Sequence, residues 1–158
     1  MKKNDIIYKR FQKSKIINVS DMDGIQWFSL TSDYGKESYG PVVHTYTFKE
    51  KPNLLDIGKK TVRQEIENYI STFEPDFKEI SNPDYQYSGG KSNYKYHSLV
   101  KKYFCKDYDG TIILEDEVDS EELEGPTEIV LWKNFSRLLK FVYSQIFKNG
   151  TPVIKQNL

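Results

Sequence analysis

A single cysteine, Cys105, is the whole thiol inventory of this sequence. No intrachain disulfide and no thiolate zinc site can be built from it, which suits a reducing compartment. Its position at the end of an apolar stripe reads as a buried structural thiol. Histidine is almost as scarce: only His44 and His97 occur, neither at ligand spacing from another strong donor, so no metal centre is expected. Net charge is missing too. Lysine plus arginine equals aspartate plus glutamate at 23 each, so no global field draws the chain to nucleic acid or acidic membranes. A local exception is the basic N-terminal end, where Lys2, Lys3, Lys9, Arg10, Lys13 and Lys15 leave a nucleic-acid contact open. No apolar run approaches the ~20 residues of a membrane span, and the N-terminal end is charged rather than signal-like. The expectation is an intracellular, cytoplasmic protein that does not enter a membrane. Gly89-Gly90 is too short to cradle a phosphate.

What the sequence has in excess is aromatic. Twelve tyrosines and nine phenylalanines occur in 158 residues, and tyrosine joins a stacking face to a hydroxyl that seeks a partner when buried. A ligand pocket or a contact surface would use them; a coding sequence rich in A and T would raise Tyr, Asn, Ile and Lys together without any such use. The length suits one domain with a self-sufficient core. We place that core at about 5–147, with a short tail over 148–158.

Strands are expected at 5–11, at Ile25–Thr31 with apolar residues on both faces, at Val42–Lys49, at Leu54–Ile57, at Thr111–Leu114 and at Glu128–Trp132. Asp21-Met22-Asp23-Gly24 reads as a turn. Helices are expected over Tyr34–Tyr39, from a capping box at Thr61 to Phe73 with Val62, Ile66, Tyr69, Ile70 and Phe73 on one face, over Tyr94–Phe104, and over Phe135–Phe147. The stretch 75–92 reads as a loop, and Glu115–Glu124 as a solvated acidic one. Strands with helices inserted unevenly indicate an α+β fold rather than regular βαβ winding.

Among candidate reactive groups Glu128 stands apart, because it opens an apolar strand directly after Gly125-Pro126-Thr127. A carboxylate at such a strand mouth can hold a ribose hydroxyl and stabilise positive charge at an anomeric carbon. A salt-bridged edge carboxylate is the alternative.

The order of features resembles the ADP-ribosyltransferase-like domains of bacterial toxins, phage polyvalent proteins and large DNA viruses. The resemblance rests on Ile7-Tyr8-Lys9-Arg10, on Trp27-Phe28-Ser29-Leu30-Thr31-Ser32 followed by Tyr34 to Tyr39, and on Val42 to Phe48 with Asn53-Leu54-Leu55-Asp56-Ile57. It continues through Asp107-Tyr108-Asp109-Gly110-Thr111 to Glu128-Ile129-Val130-Leu131-Trp132-Lys133-Asn134. It implies a split β-sandwich cradling NAD and either mono-ADP-ribosyl transfer to an unknown acceptor, a protein being one possibility, or NAD hydrolysis. Glu128 would orient the nicotinamide ribose as the catalytic carboxylate. Tyr39 or Tyr34 would stack on nicotinamide, Ser29 and Thr31 would shape the pocket floor, and Lys9 or Arg10 would contact the NAD. Two departures qualify it. Arg10 is followed by Phe11 and Gln12 where the family has Gly and Thr or Ser, and Pro126 stands where arginine-directed toxins carry a second carboxylate. A non-enzymatic structural or interaction protein, such as a virion component reusing the fold, is the rival reading.

Overall fold

The computed structural model describes residues 1–11, 18–32, 40–82, 90–115, 117, 128–148 and 151–157, the side chains of 90–93, 152 and 154–157 excepted. Its frame is one eight-stranded sheet. In chain order the strands are β1 (Ile6–Phe11), β2 (Gln26–Ser29), β3 (Val42–Phe48), β4 (Leu54–Asp56), β5 (Gly110–Ile113), β6 (Glu128–Leu131), β7 (Leu139–Lys148) and β8 (Thr151–Asn157). They lie side by side in the order β4-β5-β6-β2-β1-β3-β7-β8. Only β4 and β5 run parallel; every other pair is antiparallel. Helices α1 (Lys60–Ser71), α2 (Phe77–Ile80), α3 (Gly90–Phe104) and the single turn α4 (Phe135–Leu138) complete the described elements. The expected α+β class is therefore observed.

The strand period of two sorts the side chains into two cores. One face carries Ile7, Phe28, Tyr46, Ile112, Ile129 and Leu131, packed with Phe135, Leu138 and a short 3-10 turn at Val19–Asp21 whose Val19 leans on the same cluster. The other face meets the helices, where Leu55, Ile57, Ile66, Ile70, Phe77, Tyr96, Val100 and Trp132 form the second core. β2 is thus apolar on both sides because it is covered on both sides: Phe28 faces the first core and Trp27 faces α3.

Four expectations are overturned, one of them the loop read over 75–92, which holds the short helix α2 (Phe77–Ile80) and the start of α3 at Gly90. The helix foreseen over Phe135–Phe147 stops after one turn, and the chain enters β7 and then β8, so the stretch read as a tail holds a strand. Leu139 and Phe141 pair with Phe48 and Tyr46 on one face, and a bulge at Val142 then turns Tyr143 to the other face opposite Thr45; these aromatic and β-branched side chains favour a pleated surface once β3 offers an edge. The stripe expected on α1 is also narrower than the pattern suggests: Ile66 and Ile70 are buried, whereas Tyr69 and Phe73 are more than half exposed and Arg63 takes an inward position. The first turn of α1 is not capped by Thr61. Its Lys60 amide instead donates to the Glu117 carboxylate at 3.0 Å, which gives one residue of the acidic loop a capping role that favours negative charge at a helix start. The segments 33–39, 83–89 and 118–127 lie outside the described residues, and with them the helix expected at Tyr34–Tyr39.

A polar hub closes the β4–β5–β6 end. Asp109 is buried, and its two carboxylate oxygens accept from the Asn53 amide N–H at 2.9 Å and from the Asn134 side chain at 2.7 Å. The Arg137 guanidinium approaches the second oxygen at 3.4 Å. Backbone bonds reinforce the same point, since the Asp109 N–H donates to Asn53 O and its carbonyl accepts from the Trp132 N–H. Gly110 follows because a side chain there would collide with the Val130 carbonyl of β6.

Candidate functional site

Strand register assembles the site. Glu128 of β6 pairs with Ser29 of β2, Ser29 with Tyr8 of β1, Tyr8 with Thr45 of β3, and Thr45 with Tyr143 of β7. Directly opposed residues share a face with Cβ atoms about 5 Å apart, so five neighbouring strands contribute one continuous row of hydroxyls and a carboxylate. Trp27 shares that face, and α3 lies over this end of the row with Tyr94 and His97 against the indole, their ring centroids 6.1 and 5.9 Å from it.

Glu128 keeps 16% of its side chain exposed, and His97 Nε2 stands 3.8 Å from its Oε1. Burial, aided by the positive charge of Arg63, pulls the His97 pKa down to about 3. The imidazole is therefore neutral at pH 7, and the approach is a polar contact longer than a hydrogen bond, not an ion pair. The His97 Nδ1 and Trp27 Nε1 atoms are buried without a hydrogen-bond partner among the described residues. Such atoms are costly unless something visits them. Tyr8 has its hydroxyl pKa raised by burial and by Tyr143 across the row, so the Tyr8 phenol stays protonated and able to donate.

The residues anticipated from sequence fall out as follows. Ser29 is buried in the row, and its hydroxyl donates to the carbonyl of Thr31 at 2.6 Å; Thr31 itself is exposed. Arg10 lies on the Glu128 face, one pleat beyond Tyr8. Its guanidinium donates to the carbonyls of Ser32 and Gly40, each at 2.9 Å, and stacks over Phe147. It thereby ties together the residues on either side of 33–39. Lys9, alternating with Arg10, points to the opposite face and is not brought together with Glu128. Tyr34 and Tyr39 lie outside the described residues. Arg10→Lys is expected to lose the forked contact and about 1–3 kcal/mol of stability; an unchanged urea midpoint would show that the two carbonyl bonds contribute little.

Sequence reasoning missed Tyr8, Thr45 and Tyr143 as members of a row, because pairing between distant strands sets it. It also set His97 aside, although His97 with Tyr94 at i and i+3 on a helix was a detectable signal for two rings aimed the same way.

Chemically, the row offers one carboxylate acceptor, several hydroxyls and flat aromatic faces. That set suits a hydroxyl-rich ligand with a planar ring. No group of three or more His, Cys, Asp or Glu side chains that could hold a metal ion occurs among the described residues, and none of their helices is long and apolar enough to cross a membrane. No protein-family model, no curated protein and no solved structure matches this chain.

Proposed function

We propose that this chain is an ADP-ribosyltransferase-like domain of the split β-sandwich type, which binds NAD along the Glu128 row and either transfers ADP-ribose to an acceptor or hydrolyses NAD. The observation that carries the reading is the register Glu128–Ser29–Tyr8, which makes the carboxylate strand and the aromatic Trp27–Ser29 strand direct neighbours. In this reading Glu128 accepts from a ribose hydroxyl and its negative charge stabilises the oxocarbenium-like centre as nicotinamide departs. Trp27 and Tyr94 supply ring faces beside it. Arg10 acts by holding the ends of the segment that bears Tyr34 and Tyr39, the tyrosines expected to stack on nicotinamide.

The test is nicotinamide release from NAD. The wild type is expected to release it, and Glu128→Gln is expected to lower the rate by at least about 100-fold with an unchanged circular dichroism spectrum. A wild type that releases no nicotinamide and whose melting temperature ignores NAD overturns the reading.

A second reading, a non-enzymatic interaction protein reusing the fold, is favoured by one feature. Tyr69 and Phe73 on α1 are 51% and 57% exposed, and Phe73 stacks on Tyr103 at 5.4 Å, giving an aromatic surface of the kind enriched in contact patches.

A further inference from the structure

We propose that Asp23 is a site of covalent self-modification, at which its carboxyl and the Gly24 amide close to a succinimide that water reopens to an isoaspartyl link. The turn ahead of β2 brings the reacting atoms together. Asp23 is exposed, and its Oδ1 accepts from the Gly24 N–H at 2.7 Å. The amide nitrogen is therefore at most one C–O bond, ~1.2 Å, further from the carboxyl carbon, so the pair stands near an attack geometry.

Three further features favour the closure. The Gln26 side chain donates from Nε2 to the Asp23 carbonyl at 2.6 Å, and that carbonyl belongs to the peptide whose nitrogen attacks. A donor there draws charge onto oxygen as the N–H proton leaves. Gly24 holds φ 67°, and a Cβ built on it would meet nothing within 4 Å, so neither a side chain nor a neighbour shields the nitrogen. Met22 packs against the first core and Ile25 against the second, which anchors both ends of the turn and shortens the search for the reactive pose.

The chemistry needs only water. With the carboxyl in its acid form, a bond forms between Gly24 N and Asp23 Cγ, and the carboxyl hydroxyl leaves with the amide proton as one water. Water then adds to the imide. Attack at Cγ restores aspartate; attack at the main-chain carbonyl carbon breaks its bond to Gly24 N and leaves the chain running through the Asp23 side chain. One methylene is thereby inserted just ahead of β2, the strand that carries Trp27 and Ser29.

The same dipeptide occurs again as Asp109-Gly110, where the fold opposes the reaction. Asp109 is 3% exposed, its two oxygens are held by the Asn53 N–H and the Asn134 side chain, and Gly110 is paired on both sides, with Leu54 and Leu131. Its carboxyl cannot turn to the next amide until that network opens.

Peptide mapping of the full chain after weeks at pH 7, with an isoaspartyl-specific carboxyl methyltransferase to label the product, tests the proposal. Label is expected at Asp23 at least about tenfold faster than at Asp109, and in concentrated urea Asp23 should slow while Asp109 speeds up. Gln26→Met should slow labelling at Asp23 about threefold or more. Asp23→Glu, which would need a larger ring, should end it there with an unchanged circular dichroism spectrum. Asn149-Gly150, outside the described residues, is separated by its own peptide. Label at Asp109 ahead of Asp23, an Asp23 rate no faster folded than in urea, or an unchanged rate in Gln26→Met would each overturn the proposal.

Discussion

Lowering the pH from 7 to 5 is expected to remove about 4 kcal/mol of folding stability, most of it through two histidines. His44 and His97 are 0% and 1% exposed, and burial holds their pKa values at about 4 and about 3. A neighbouring cation adds to the effect in each case, Lys9 for His44 and Arg63 for His97. An unfolded histidine titrates near 6.5. Below that pH the unfolded chain takes up two protons that the folded chain refuses, so stability is full above about 6.5 and falls as the pH drops toward 4 and then 3. Carboxylates titrate lower, which leaves the window from 7 to 5 to the histidines. Urea unfolding across that window should approach a slope of two protons, and His44→Gln and His97→Gln should each remove about one. A flat profile through pH 5, or histidine variants that follow the wild type, would contradict the assignment.

The second large effect is expected at Asp109. Asp109→Ala should cost about 3–5 kcal/mol, the range for breaking a buried charged network by removing one member. The carboxylate joins its own turn to two segments remote in sequence: the Asn53 amide before β4, and the α4 turn through the Asn134 side chain and Arg137. Asn134 holds a left-handed backbone, φ 60°, so losing its anchor also releases a strained turn. Asp109→Asn keeps the shape and one acceptor, and should recover part of the loss. Both variants are read by urea midpoint. Equal, small losses in the two would mean that packing rather than the carboxylate holds this corner.

Particular residues show how far the linear chain was readable. Val42–Phe48 and Glu128–Leu131 declare themselves as strands because β-branched and aromatic residues fill both faces. The helix near Tyr94–Phe104 is legible from its stripe, although it begins at Gly90. Leu139–Lys148 was not legible: its apolar residues satisfy helical and strand periods alike, and only the free edge of β3 selects between them. Tyr69 and Phe73 were misassigned for a related reason, since the spacing places residues on one helix face but does not say where the core ends.

The same division applies to the polar row. Composition and spacing by themselves determined that this is an α+β chain with one cysteine, two histidines, no excess of charge of either sign, and one carboxylate at a strand mouth. Tertiary pairing alone decided which residues stand beside that carboxylate. Tyr8 and Ser29 reach Glu128 through hydrogen-bonded register from about a hundred residues or more away along the chain, and a one-residue slip would exchange them for their neighbours on the opposite face. That same alternation parts Lys9 from Arg10, adjacent in sequence, and delivers them to opposite sides of the sheet.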